Sequence, residues 1–175
     1  WRIKILPFFK SIAKSPLISY CMNAWLPRDQ RKEKASIMIT EDIIKNNEQI
    51  RTYITKADEA LVALGYTEHS FAHVTKVARF AKELLLELGY GSRKAELAWI
   101  AGYLHDIGNV INRIDHAQSG AVMAFRILDN LGADADELST IISAIGNHDE
   151  STAYPVNEVA AALILADKTD VRRSR

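Results

Sequence analysis

From Thr40 onward the chain repeats its apolar residues at three- and four-residue steps, the period of helices that bury one face. Phe71, Val74, Val77, Ala78, Ala81, Leu84, Leu85 and Leu88 form the longest such stripe. It predicts a helix capped by Ser70 and ended by Gly89. Before it, Thr40 caps a helix whose first turn carries Glu41 and Asp42, where the helix dipole favours acids. That helix is expected to run to about Leu64 and stop at Gly65. Ser92 opens a third helix, which reaches His105-Asp106 and ends near Gly108. Asp115 opens a fourth, carrying Ala121, Ala124, Phe125 and Leu128 and stopped by Gly132. Asp134 opens a fifth, with Leu138, Ile141, Ile142 and Ile145. A sixth starts near Val156 and holds Val159, Ala162, Leu163, Leu165 and Ala166. Glycines just past the ends and Asp, Ser or Thr at the starts support this division. No alternating strand run appears. Short connections between helices of about 15 residues predict an all-α, antiparallel helical bundle.

Composition adds a boundary. The 175 residues are 48% apolar and 25% charged, enough for one domain with its own core. The net charge of zero hides an asymmetry. Residues 1–37 carry eight Lys/Arg and two Asp/Glu, the remainder 14 and 20. The chain thus divides into a basic, aromatic-rich N-terminal extension and linker, residues 1–37, and a helical domain, residues 38–175. With Trp1 rather than methionine in first place, the true start is expected to lie upstream or to have been removed. Pro7 and Pro16 would interrupt any long amphipathic helix in the extension. An acidic body argues against a nucleic-acid partner. No run approaches the ~18 apolar residues of a membrane span. The single cysteine, Cys21, rules out an intramolecular disulfide and fits the cytoplasm; with no histidine near it in sequence, a catalytic thiol is not expected.

The candidate chemistry lies in the histidines. Four of the five follow one order with two acids: His73, His105-Asp106, His116, His148 and then Asp167. Such a mix of imidazole and carboxylate suits first-row divalent metals, among them iron, manganese and zinc. A lone histidine near an apolar face is more often a hydrogen-bonded core residue, and an isolated His-Asp pair says little. The order and the helical frame give the set its weight, since ligands at helix ends of a bundle can converge on one cavity. His69 pairs with His73 at i, i+4, but Ser70 stands where a zinc-protease motif needs glutamate; it reads as a surface or supporting residue. Glu150 and Asp115 flank the candidate ligands and read as solvent charges in preference to proton-transfer groups.

These segments resemble the HD-domain superfamily of metal-dependent phosphohydrolases. His73-Val-Thr-Lys-Val77-Ala78 resembles the first-histidine helix, and Ala101-Gly-Tyr-Leu-His105-Asp106-Ile-Gly108 the defining motif. His116-Ala-Gln-Ser-Gly120-Ala121 resembles the extra histidine of members that hold two metals. Ile141 to His148 and Leu165-Ala166-Asp167-Lys168 resemble the closing segments. The resemblance implies that His73, His105, Asp106 and Asp167 bind one ion. Asp106 would bridge to a second, held also by His116 and His148.

It also implies hydrolysis of a phosphomonoester or phosphodiester, with a nucleotide as leading substrate, through a metal-activated water. Asp106 and Lys168 would be the catalytic residues, Lys168 as an electrostatic helper followed by Arg172, Arg173 and Arg175. Expected partners are a phosphorylated small molecule or nucleotide and two divalent ions, with homo-oligomerisation left open. There are departures. Asp149 stands where many relatives have a second histidine, and Asn109 where cyclic-dinucleotide phosphodiesterases carry lysine. Ala153-Tyr154-Pro155 echoes the Gly-Tyr-Pro of that branch in the wrong place. A di-iron oxygenase on a similar fold and a catalytically silent nucleotide sensor are the competing readings.

Overall fold

The computed structural model describes residues 36–66 and 71–169. The N-terminal extension up to residue 35, His69, the Ser70 cap and the arginines after Asp167 lie outside the described residues. Among the described residues there are seven α-helices and one 3₁₀ turn: α1 Glu41–Lys45, α2 Glu48–Ala63, α3 Phe71–Glu87, α4 Ser92–Leu104, the turn Ile107–Val110, α5 His116–Leu131, α6 Ala135–Gly146 and α7 Glu158–Thr169. The fold is all-α. No strand occurs among the described residues. Nor, among them, is any helix long and apolar enough to cross a membrane.

The helix expected from Thr40 to Leu64 is two helices. Asn46 ends α1, and Asn47 adopts extended backbone (φ −78°, ψ 114°) with its side chain accepting from the Ile50 amide at 3.1 Å. Asparagine side chains offer the backbone a local partner in place of the next helical bond, so two in succession break the helix and restart it. Thr40 does cap α1. Asp134 caps α6 through the amides of Asp136 and Glu137. The last helix begins two residues later than expected, with Asn157 accepting from the Ala160 amide at 2.8 Å.

Helix α4 organises the core. Ala95, Leu97, Ala98, Trp99, Ile100, Ala101, Gly102, Tyr103 and Leu104 are all buried, the pattern of a helix surrounded on every side. Helices α3, α6 and α7 pack against it, and α1 touches it. Ile100 and Leu104 are fully buried, each contributing about 1.5–3 kcal/mol relative to exposure. Gly102 sets the closest approach. A Cβ there would lie 2.7 Å from Ala78 Cα, so α3 crosses α4 with backbone nearly touching backbone. The 3₁₀ turn that follows packs between α2 and α5. The C-terminal end of α4 is thereby delivered, dry, to the middle of the domain.

Candidate metal centre

The six histidines and aspartates singled out in the sequence come from five separate elements. His73 is the third residue of α3. His105 and Asp106 join α4 to the 3₁₀ turn, His116 is the first residue of α5, His148 lies just beyond α6, and Asp167 is late in α7. His73, His105, Asp106, His116 and His148 are buried, and Asp167 partly so. Glycine makes the meeting of α5 with the His-Asp turn possible. A Cβ on Gly108 would fall 1.9 Å from the His116 carbonyl oxygen and 2.5 Å from the Gly120 nitrogen. Asp115, just before α5, takes a left-handed conformation (φ 57°) and makes no side-chain cap bond.

Backbone carbonyls fix three of the imidazoles. The Nδ1 of His105 donates to the Gly102 carbonyl at 2.8 Å, that of His116 to the Arg113 carbonyl at 3.0 Å, and that of His148 to the Ile145 carbonyl at 2.6 Å. Each partner lies three residues upstream. A ring that donates through Nδ1 presents the lone pair of Nε2, the arrangement that metal-ligating histidines use.

What those nitrogens face is other Lewis bases. His73 Nε2 and His105 Nε2 are 3.3 Å apart. Asp106 Oδ2 lies 3.3 Å from His105 Nε2 and 3.6 Å from His73 Nε2. Asp167 Oδ1 lies 3.3 Å from His73 Nε2 and 3.6 Å from His105 Nε2. The other Asp106 oxygen, Oδ1, sits 3.4 Å from His116 Nε2. The His148 ring stands edge-on to both His105 and His116, with centroids 4.9 and 5.1 Å away. Two overlapping sets have donor atoms within 4.8 Å of one another: His73, His105 and Asp167; and His105, Asp106 and His148. Nitrogen and carboxylate donors in this mixture fit a first-row divalent ion.

The electrostatics point the same way. Burial raises the cost of charge on Asp106, yet the His105, His148 and His116 imidazoles hold its carboxyl well below the usual range. Asp167 is held down likewise, against burial, by His105 and His73. Burial opposes a proton on His105, but Asp106 and Asp167 raise its affinity well above that of an ordinary imidazole. His148 goes the other way. Burial and the charge of His105 push it down to about 4, so it is neutral at physiological pH. The two carboxylates draw positive charge onto one spot, and a proton or a metal ion answers the same demand.

Sequence reasoning missed the polar groups that line the Asp106–His116 side. Asn109 donates from Nδ2 to both the carbonyl oxygen and Oδ1 of Asp106, each at 2.9 Å. Arg113 Nη1 lies 3.3 Å from His116 Nε2 and 4.0 Å from Asp106 Oδ1. Both stand three or four residues from a site residue, in or after the turn, where such reach is expected of a side chain returning to its own loop. Asp149 approaches His116 Nε2 at 3.9 Å. Despite the opposing effect of burial, the Ser151 hydroxyl and His116 keep its carboxyl low. Glu150 and Asp115 are exposed. Lys168 follows Asp167 and is also exposed; no hydrogen bond or ion pair joins it to the cluster among the described residues.

Comparison with known proteins places this geometry in a family. The chain is 28% identical to the uncharacterized protein MJ1020 of Methanocaldococcus jannaschii, in a match covering 79% of this chain and 61% of that protein. It spans less than two thirds of that relative's length. Among solved structures it is similar to a predicted HD superfamily hydrolase from an uncultured Thermotogales bacterium, with a TM-score of 0.52 and 25% identity. That match covers 74% of this chain and 72% of the other. A family model for the HD domain matches residues 70–172, the span that supplies all six side chains of the cluster. The chain therefore belongs to the HD-domain family.

Proposed function

We propose that this chain is a metal-dependent phosphohydrolase acting on a phosphomonoester or phosphodiester, with a nucleotide as the leading substrate class and two divalent ions in its centre. The observation that carries the reading is the Asp106 carboxylate. One oxygen faces His105 and His73 while the other faces His116, the posture of a carboxylate shared between two sites. His73, His105, Asp106 and Asp167 would hold one ion, and Asp106, His116 and His148 the other. Such ions, when bound, lower the pKa of water and take up charge on phosphate oxygens. A match to a predicted HD superfamily hydrolase supports hydrolysis.

The chain's own residues prepare the centre. The carbonyls of Gly102, Arg113 and Ile145 engage Nδ1 of three imidazoles, so that Nε2 is the nitrogen each can offer to an ion. Asn109 orients Asp106 through two hydrogen bonds from one nitrogen. Burial of His105 and His148 excludes water from the inner side, so charges there act through a low effective dielectric. Lys168, exposed beside Asp167, would contribute long-range attraction for an anionic substrate. The single cysteine fits a cytoplasmic setting.

The test is elemental analysis of protein purified without chelators, followed by a phosphate-release screen over nucleotides with manganese, iron or zinc. The expected result is stoichiometric metal and release of phosphate or of a phosphomonoester. Absence of metal, with no activity restored by any of the three ions, sinks the reading. Oxygen-dependent turnover with bound iron would identify an oxygenase instead.

A further inference from the structure

Arg113 contacts His116 from both sides. Its carbonyl takes the Nδ1 proton at 3.0 Å, and its Nη1 sits 3.3 Å from Nε2. The guanidinium also lies 3.4 Å from Asn109 Oδ1, 4.0 Å from Asp106 Oδ1, and 5.9 Å from the centre of the Tyr66 ring. These contacts use one nitrogen of the fork. Among the described residues, Nη2 and Nε take no hydrogen bond, and the side chain is 33% exposed. An arginine has five N–H donors in a plane, arranged to grip two oxygens of a carboxylate or phosphate at once.

The lone pair of His116 Nε2 can accept from Arg113 or bind a metal, but not both. Were that nitrogen to hold a metal, Nη1 would be free and more positive charge would stand beside the guanidinium. The freed fork, partly exposed beside a cation, would then attract an anion. Of the described side chains around it, Asn109 offers only a neutral carbonyl oxygen, Asp106 would already be committed to the ions, and Asp149, 3.9 Å from His116 Nε2, makes no ion pair with Arg113. An anion from solution can meet the fork there.

We propose that Arg113 is a substrate-binding residue that grips the non-bridging oxygens of the phosphate undergoing hydrolysis, held on His116 until a metal takes that nitrogen. This rests on the phosphohydrolase reading above and adds the recognition element that the six metal-facing residues lack. Tyr66, half exposed against the same guanidinium, restricts where the fork can move.

The experiment measures inorganic phosphate binding by isothermal titration calorimetry on the full chain loaded with manganese, with metal content followed by elemental analysis. Arg113→Met is expected to keep its metal and to weaken phosphate binding at least tenfold. Arg113→Lys, with charge but no fork, should fall between the two. Arg79→Met, at an exposed arginine on the outer side of α3, should bind phosphate as the wild type does. In nucleotide turnover the loss should appear chiefly in KM. Unchanged phosphate affinity in Arg113→Met overturns the proposal while leaving the hydrolase reading intact. Loss of metal in that variant also overturns it, because Arg113 would then support the ligands rather than the substrate. Should Arg113→Met fail to fold, wild-type affinity in Arg113→Lys is the overturning result. A wild-type protein that holds metal but binds no phosphate defeats both readings together.

Discussion

The two ends of α4 carry polar clusters of opposite character. At the N-terminal end, Arg93 donates to Glu137 through Nε at 2.6 Å and again through Nη2, to Glu96 at 2.6 Å, and to the Ile39 carbonyl at 2.9 Å. Glu96 accepts in turn from the Glu41 amide, and Glu41 pairs with Lys82 and Lys45. Every acceptor there faces a donor. At the C-terminal end, imidazole nitrogens and carboxylate oxygens crowd within 3.3 to 3.6 Å of one another. Satisfied charge is what structural ion pairs look like, and convergent Lewis bases are what a cation site looks like. The first cluster fastens the chain's entry to the body. The second is arranged for something the polypeptide does not itself supply.

Substitutions should separate the two. The largest effect is expected from Asp106→Ala, which removes the shared carboxylate. Metal content should fall to background and turnover should drop on the order of a thousandfold, the loss of several kcal/mol of charge stabilisation. Unfolding by denaturant should barely change relative to the wild type stripped of metal. A variant that keeps its metal would break the contrast. Gly108→Ala tests whether the frame is as rigid as it looks. With a Cβ directed at the His116 carbonyl and the Gly120 amide, it should cost about 3 kcal/mol or more in stability, read from urea melts. Near-wild-type stability would mean that α5 can retreat.

Chelation should act on the C-terminal cluster alone. At metal a hundredfold above its Kd the folded state gains about 2.7 kcal/mol. Stripping the protein should therefore lower its Tm, and restoring the ion should return it. Glu137→Gln is the reciprocal experiment. It should cost about 1–3 kcal/mol through weakened charge-assisted hydrogen bonds to Arg93, with metal content unchanged in elemental analysis.

The smallest effect is a pH dependence. Burial opposes charge on Glu41, but Lys82 and Lys45 hold its carboxyl below the ordinary 4.5. Between the folded and unfolded values the unfolded chain binds more protons. The contribution of Glu41 is therefore complete above about pH 4.5 and is lost as pH falls through the folded value. Solvent screening keeps it well under 1 kcal/mol. Glu41→Gln should flatten the acid limb of the stability curve slightly, with neutral pH little affected; a steeper limb would contradict the assignment.

Much of this was legible in the chain. The six candidate residues stand out because of their order along a sequence whose helices can be delimited by caps and glycines. The paired asparagines at 46 and 47 were readable too, as a break, but the apolar stripe around them suggested continuity. Other features depend on distances between elements, which a linear pattern does not hold. Gly102 and Gly108 look like any glycines until Ala78 and His116 are laid across them. Arg113 looks like a loop charge until α5 turns His116 back beneath it. Likewise, the tautomers of His105, His116 and His148 follow from a carbonyl three residues upstream, visible only once the backbone is traced.

The contact between Gly108 and α5 has a consequence for how this centre can vary. Side chains such as Arg113, Tyr66 and Asp149 are partly or half exposed and can be exchanged with local adjustment, so recognition, on the proposed reading, can change there. The interval between the two halves of the centre is set by main chain against main chain, where no side-chain substitution on either strand of contact supplies slack. Descendants of this sequence can thus explore what they recognise far more freely than how far apart His105 and His116 stand.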